Sequence, residues 1–153
     1  MIQAIAEINR ILTVFGADKP KSATNPLEQI KSLSVHERIL SGFPSEVLNL
    51  ASKAFGLALT DLAKIVGVST KTIQRKLLGG KPLSNTESDR FYRGIHIFIF
   101  AAEIFRDTDT AKQWMSERQP ALGGYVPIDL LETEAGAKEV SILLGRIKYG
   151  VIS

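Results

Sequence analysis

The sequence predicts an all-α protein, and three observations carry the prediction. Apolar residues recur at helical spacing in segment after segment, the pattern that lines one face of a helix. Ser69 and Thr133, residues suited to capping, stand just before two such segments, while Gly16, Gly67 and Gly150 stand where segments should turn or stop. The one stretch that alternates like a strand, GIHIFIF, has no neighbouring partner from which to build a hairpin.

Taken in order, Ile5, Ile8, Ile11, Leu12 and Phe15 mark a first helix that Gly16 closes. Residues 17–26, with their Asp, Lys, Pro, Ser, Thr and Asn, read as a flexible link, so residues 1–26 form an N-terminal helix and linker. Residues 27–55 are helical with a break at Gly42, Phe43 and Pro44. Two short helices flank Gly67, and GGKPLSNTES punctuates the chain after them. Residues 89–105 keep Tyr92, Ile95, Ile99, Ala102 and Phe105 at helical spacing, and their length favours a buried helix over a strand. Residues 109–118 form a short helix with Ala111, Trp114 and Met115 on one side, and ALGGY is a turn built on Gly123 and Gly124. Pro127 starts one helical turn, and Thr133 caps a last helix whose Val140, Leu143, Leu144, Ile147 and Val151 share a face. Residues 27–106 therefore read as one helical domain and residues 107–153 as a smaller one.

With 153 residues, 44% of them hydrophobic, the chain can bury a real core. It has no cysteine, which removes disulfides and thiolate chemistry and fits a reducing compartment. The N-terminus has no basic run ahead of an apolar core, and IHIFIFAA is far too short to span a bilayer, so a cytoplasmic protein without membrane contact is expected. His36 and His96 lie far apart without a carboxylate motif, His36 meeting solvent and His96 core, so no metal is expected. Asp129, Glu132, Glu134 and Glu139 suggest acid–base pairs, but no nucleophile accompanies them and acids near helix N-termini favour the helix dipole. Gly123 and Gly124 lack the surroundings of a phosphate loop. Neither catalytic residues nor a cofactor are expected.

Charge points elsewhere. Between Leu59 and Leu83, Lys64, Lys71, Arg75, Lys76 and Lys81 face Asp61 alone, although the whole chain carries only +3. Within that stretch, residues 60–78 have the layout of a helix-turn-helix. Leu62, Val66, Val68, Ile73 and Leu77 supply the shared core, Ala63 is small where the second helix crosses, and Gly67 makes the turn. Ser69 caps the second helix and leaves Thr70, Lys71, Thr72, Gln74, Arg75 and Lys76 to project outward. Hydroxyls and Lys suit phosphates, Gln suits adenine and Arg suits guanine. A helical hairpin whose basic face merely meets solvent is the competing reading. Arg90 and Arg93 in SDRFYRG either pair locally with Asp89 or touch DNA phosphates.

From about residue 40 to the end the chain resembles the Xre antitoxins, also called ParS or MbcA. The resemblance rests on GFPSEVL, LAKIVGVSTKTIQRKL, PLSNTESDRFYR, AKQW and, most specifically, ALGGYVPIDLLETEAGAKEVSILLGRIKYGV. It implies an Xre-like helix-turn-helix domain followed by a small helical toxin-binding domain, and a partner toxin of the RES-domain class that degrades NAD. It also implies neutralisation by a C-terminal segment that occludes the toxin's active site, homodimer formation, and repression of the operon by operator DNA binding. Carried over by position, toxin contact falls on Arg146, Lys148, Tyr149, Gly150, Val151, Ile152 and Ser153, with Leu122, Gly123 and Gly124 beside them, and DNA contact on Ser69 to Lys76. Val126, Lys148 and Ile152 depart from residues common in the family. A tail of Gly150, Val151 and Ile152 ending in a carboxylate is small, partly apolar and anionic, as a pocket for an anionic dinucleotide requires. The alternative is a stand-alone helix-turn-helix regulator whose C-terminal block only dimerises.

Overall fold

A computed structural model describes residue 6 and residues 35–151. Ile152, Ser153 and, apart from residue 6, the expected N-terminal helix and linker lie outside the described residues. The described chain is all-α. Eight helices follow one another: α1 Val35–Ser41, α2 Glu46–Phe55, α3 Leu59–Val66, α4 Thr70–Gly79, α5 Asn85–Phe105, α6 Thr108–Ser116, α7 Pro127–Leu130 and α8 Glu134–Lys148, with a 3-10 turn at Pro120–Leu122.

Local chemistry sets most of the boundaries. Ser84, Asp107 and Thr133 each accept a hydrogen bond from a backbone N–H in the first turn of the helix that follows, satisfying a donor that has no partner within the helix. The same bonds from the Thr110 side chain and backbone hold the Asp107 carboxyl below its ordinary value. Helix α5 begins at Asn85, four residues before the start expected from apolar spacing, because Ser84 caps it by accepting from Glu87 N–H at 3.1 Å. Its far end is turned by Arg106, the one non-glycine residue with positive φ among those described. The sequence leads one to expect a domain division at residues 106/107.

The apolar core nevertheless runs across the division without a break. A single cluster joins Phe43, Leu48, Ile65 and Ile73 to Met115, Ile128, Val140 and Leu144. Helix α5 is its axis and packs directly on α1, α3, α6 and α8. Gly94 marks a close approach on that axis: a side-chain carbon there would come within 2.6 Å of Ile65 Cγ2 and 3.6 Å of Leu131 Cδ1. A glycine in mid-helix forfeits helix propensity, and here it lets α3, α5 and the chain after α7 meet.

A second brace closes the other side. Gly42 sits at φ +81 against the Leu83 carbonyl, Leu83 N–H donates to Phe43 O at 2.8 Å, and Phe43 N–H donates to the buried Ser88 hydroxyl at 2.9 Å. Two motifs far apart in sequence, GFPS and PLSNTES, are thereby joined.

Some expected core residues are only half-buried. Trp114 rests on Phe105 with ring centroids 5.9 Å apart, and His96 on Tyr92 at 4.4 Å, both at the edge of the core. Val68 and Leu77 also line its margin. Val151 leaves the buried face of the last helix altogether, because α8 stops at Lys148 and the chain turns at Gly150.

Candidate functional site

The helix pair α3–α4 turns at Gly67, whose φ of +76 suits glycine, while Gly67 N–H and Val68 N–H both donate to Ala63 O. Ser69 Oγ accepts from Thr72 N–H at 3.2 Å and opens α4. Ile73 anchors α4 in the core. The Arg90 side chain lies against Gly67, so any side chain at that turn would displace it.

Of the residues expected to project from α4, Ser69, Thr70, Lys71, Gln74 and Arg75 are exposed. Thr72 is half-buried, and its hydroxyl contacts Ser69 Oγ at 3.0 Å and accepts from Arg75 Nη2 at 3.4 Å. Lys76 does not project outward. Its ammonium donates to Pro82 O at 3.0 Å and pairs with Glu87 Oε2 at 3.3 Å, clamping α4 to the start of α5. Arg93 takes the local option left open by the sequence, pairing with Asp89 at 3.4 Å.

The second group gathers around the end of α8. Helices α5 and α8 run parallel: Tyr92, Arg93, His96 and Ile97 share a groove with Glu134, Ala137 and Lys138, whereas Glu103 to Arg106 share a cleft with Ile147 and Lys148. The last turn of α8 is closed by Val151 N–H donating to Arg146 O at 2.9 Å around a left-handed Gly150. Beyond the helix Tyr149 is 76% exposed and Val151 59%. The Lys148 ammonium lies 5.5 Å from the Phe100 ring centre and 5.7 Å from that of Tyr149, so it covers the end of the α5–α8 seam. Arg146 is exposed.

The Gly123–Gly124 turn is a closed hydrogen-bonded loop. Gly123 N–H donates to Pro120 O, Gly124 N–H to Gln119 O, Gln119 N–H to Tyr125 O, and Arg118 Nη1 to Gly124 O. Leu122 is half-buried, the 3-10 turn packs on α8, and the loop presents Tyr125 at 62% exposure. Sequence reasoning passed over Tyr125, although an aromatic directly after two turn glycines was the available signal. It also missed Lys64 and Asp129 as partners, paired at 2.9 Å between α3 and α7.

The two surfaces lie at opposite ends of α5. Its first turn meets α4 through Glu87, its last turns meet the end of α8, and its 21 residues span about 30 Å. Among the described residues no group of three or more His, Asp or Glu is placed to hold a metal ion, and no helix is long and apolar enough to cross a membrane.

Comparison with known proteins matches both surfaces. Residues 34–93 match the antitoxin Xre-like helix-turn-helix domain, and residues 100–150 match the antitoxin Xre/MbcA/ParS C-terminal toxin-binding domain. A Photorhabdus laumondii protein named antitoxin Xre is 30% identical over 113 residues, 73% of this chain and 76% of its own length. A Yersinia enterocolitica protein of the same name is 30% identical over 118 residues, covering 76% of this chain and 80% of the relative. A Sphingobium protein named Prs ADP-ribosylating antitoxin is 30% identical over 98 residues, 58% of this chain and 61% of its own length.

Proposed function

Since the chain belongs to the Xre antitoxin family, with a helix-turn-helix domain and a toxin-binding domain, we propose that it neutralises a RES-domain, NAD-degrading toxin by seating the segment after Lys148 in the toxin's active-site entrance. The observation that carries this reading is the exposure of Tyr149 and Val151 beyond a helix that buries Val140, Leu143 and Leu144 in the core. Exposed aromatic and aliphatic side chains at the end of a rigid helix are the residue types that anchor interfaces when a partner covers them. Arg146, Lys148 and Gly150 belong to the same contact, together with Ile152 and Ser153. Leu122, Gly123 and Gly124, in the turn region whose 3-10 segment packs on α8, complete the proposed contact. The Sphingobium relative carries ADP-ribosylation in its name, a chemistry that draws on NAD and agrees with a toxin of that substrate class.

The same reading gives α4 a role in binding operator DNA upstream of the chain's own operon. Lys71, Gln74 and Arg75 face solvent on one short capped helix, the geometry a reading helix needs in a major groove. Ser69, Thr70 and Thr72 contact phosphates at its start, and Lys76 holds the helix in place. A homodimer supplies the second half-site that a single module requires for useful specificity. The chain acts without catalysis: Asp129, one of the acids weighed for proton transfer, is engaged by Lys64.

Co-expression with the neighbouring toxin gene tests the central claim. A chain ending at Lys148 should keep its helical signal and melting temperature yet fail to protect cellular NAD. Full protection by the shortened chain would overturn the proposal.

A further inference from the structure

A cleft of about 650 Å³ lies in front of the α3–α4 turn, lined by Thr60, Lys64, Ser69 and Thr70 on one wall and Asp129 and Glu132 on the other. The basic wall belongs to the helix-turn-helix and the acidic wall to the toxin-binding region. Lys64 Nζ and Asp129 Oδ1 bridge the cleft at 2.9 Å, with side chains 50% and 48% exposed.

An ion pair this exposed contributes little to stability, so it is easily exchanged for another anion. The cleft opens beside the first residues of α4, where Ser69 and Thr70 expose their side chains. A duplex whose major groove receives α4 brings its phosphate backbone to that edge. Lys64 is the cation of α3 that faces the cleft, and its four-carbon stem gives it reach. The Asp129 carboxylate occupies the same ammonium, and Glu132 adds a second negative charge to that wall.

We infer that Lys64 is a phosphate-binding residue of the DNA surface, additional to α4, and that Asp129 competes with the phosphate for it. The inference rests on the DNA-binding role given to α4 above. Binding DNA then requires Lys64 to leave a carboxylate carried by the toxin-binding region. Operator affinity is thereby tied to that region through one exchangeable contact, without any movement of the shared core.

Fluorescence anisotropy of the full-length chain on a duplex from its own promoter, across a salt series, tests this. Asp129→Asn should tighten binding about three- to tenfold at low salt, while the log–log salt dependence, which counts phosphate contacts, keeps its slope. Lys64→Gln should weaken binding and make the dependence shallower, and adding Asp129→Asn to Lys64→Gln should give no further gain. An unchanged affinity in Asp129→Asn, or a gain that persists without Lys64, overturns the inference. Sensitivity to Arg75→Ala alongside indifference to Asp129→Asn would overturn it while leaving the role of α4 intact. A wild-type chain with no preference for the promoter duplex, and no response to Arg75→Ala, sinks both.

Discussion

At one end of α5 the helix α4 is held on several sides: Ser69 caps it, Ile73 is buried beneath it and Lys76 ties it to Glu87. At the other end the chain simply leaves α8 after Lys148, with Tyr149 and Val151 turned into solvent. One surface is presented with its geometry already fixed, which suits the rigid grooves of a duplex. The other, on the function proposed above, is a short anchor that gains its contacts when a partner closes over it. A polar, pre-set face reads sequence through a few directional bonds, whereas an apolar tail draws affinity from burial. The contrast teaches that a single small core can present two differently built surfaces if they are placed at opposite ends of its longest helix.

The comparison breaks most completely at Gly94. Gly94→Val forces a branched side chain against Ile65 and Leu131, and overpacking of this kind costs about 1–3 kcal/mol. The melting temperature should fall, and toxin and DNA binding should weaken together. If one survives while the other is lost, the two regions do not share a cooperative unit. Tyr149→Ala sharpens the contrast instead: toxin affinity should drop by about 2 kcal/mol, roughly thirtyfold, with duplex binding unchanged when both are titrated on the same preparation. Arg75→Ala should do the reverse, costing about 1–3 kcal/mol of operator binding while calorimetry with toxin shows no change.

Two smaller effects separate scaffold from surface. Ser69→Ala removes a cap and should lower stability by about 1 kcal/mol, read as a shift in urea midpoint. His96 has its pKa lowered from 6.5, chiefly by burial and against the opposing influence of Glu103. Its neutral form is the one the fold favours, so its contribution is intact above the ordinary histidine value and is lost as pH falls from there through the lowered one. Thermal melts from about pH 7.5 to about pH 5 should therefore decline, and His96→Gln should flatten part of that decline.

What the sequence made legible was whatever is encoded locally. Gly67, Ser69 and Ile73 lie within a few residues of one another, and each performs in the structure the part its chemistry suggested. Thr133 and Gly150 bracket the last helix for the same reason. What stayed hidden depends on partners distant in the chain. Lys76 looks like one more outward cation until Glu87 and Pro82 arrive from the next element. Lys64 and Asp129 stand in different regions, and only the packing of α7 on α3 makes them neighbours. Gly94 reads as a poor helix residue and nothing more, because its purpose lies in Ile65 and Leu131. The start of α5 is a different failure. Ser84 followed three residues later by Glu87 is a helix-start signature, and it was obscured by the Gly, Pro and Asn around it.

The unbroken core also governs how long the protein lasts. If the shared core unfolds as one cooperative unit, as the Gly94→Val test checks, neither end persists as a working fragment after the other has melted. In a cell, a protease that captures the opened chain removes both surfaces at the same moment. On the function proposed above, inhibition at one end and occupancy at the other then share one half-life, and a change that loosens the junction at Gly94 sets the clock for both.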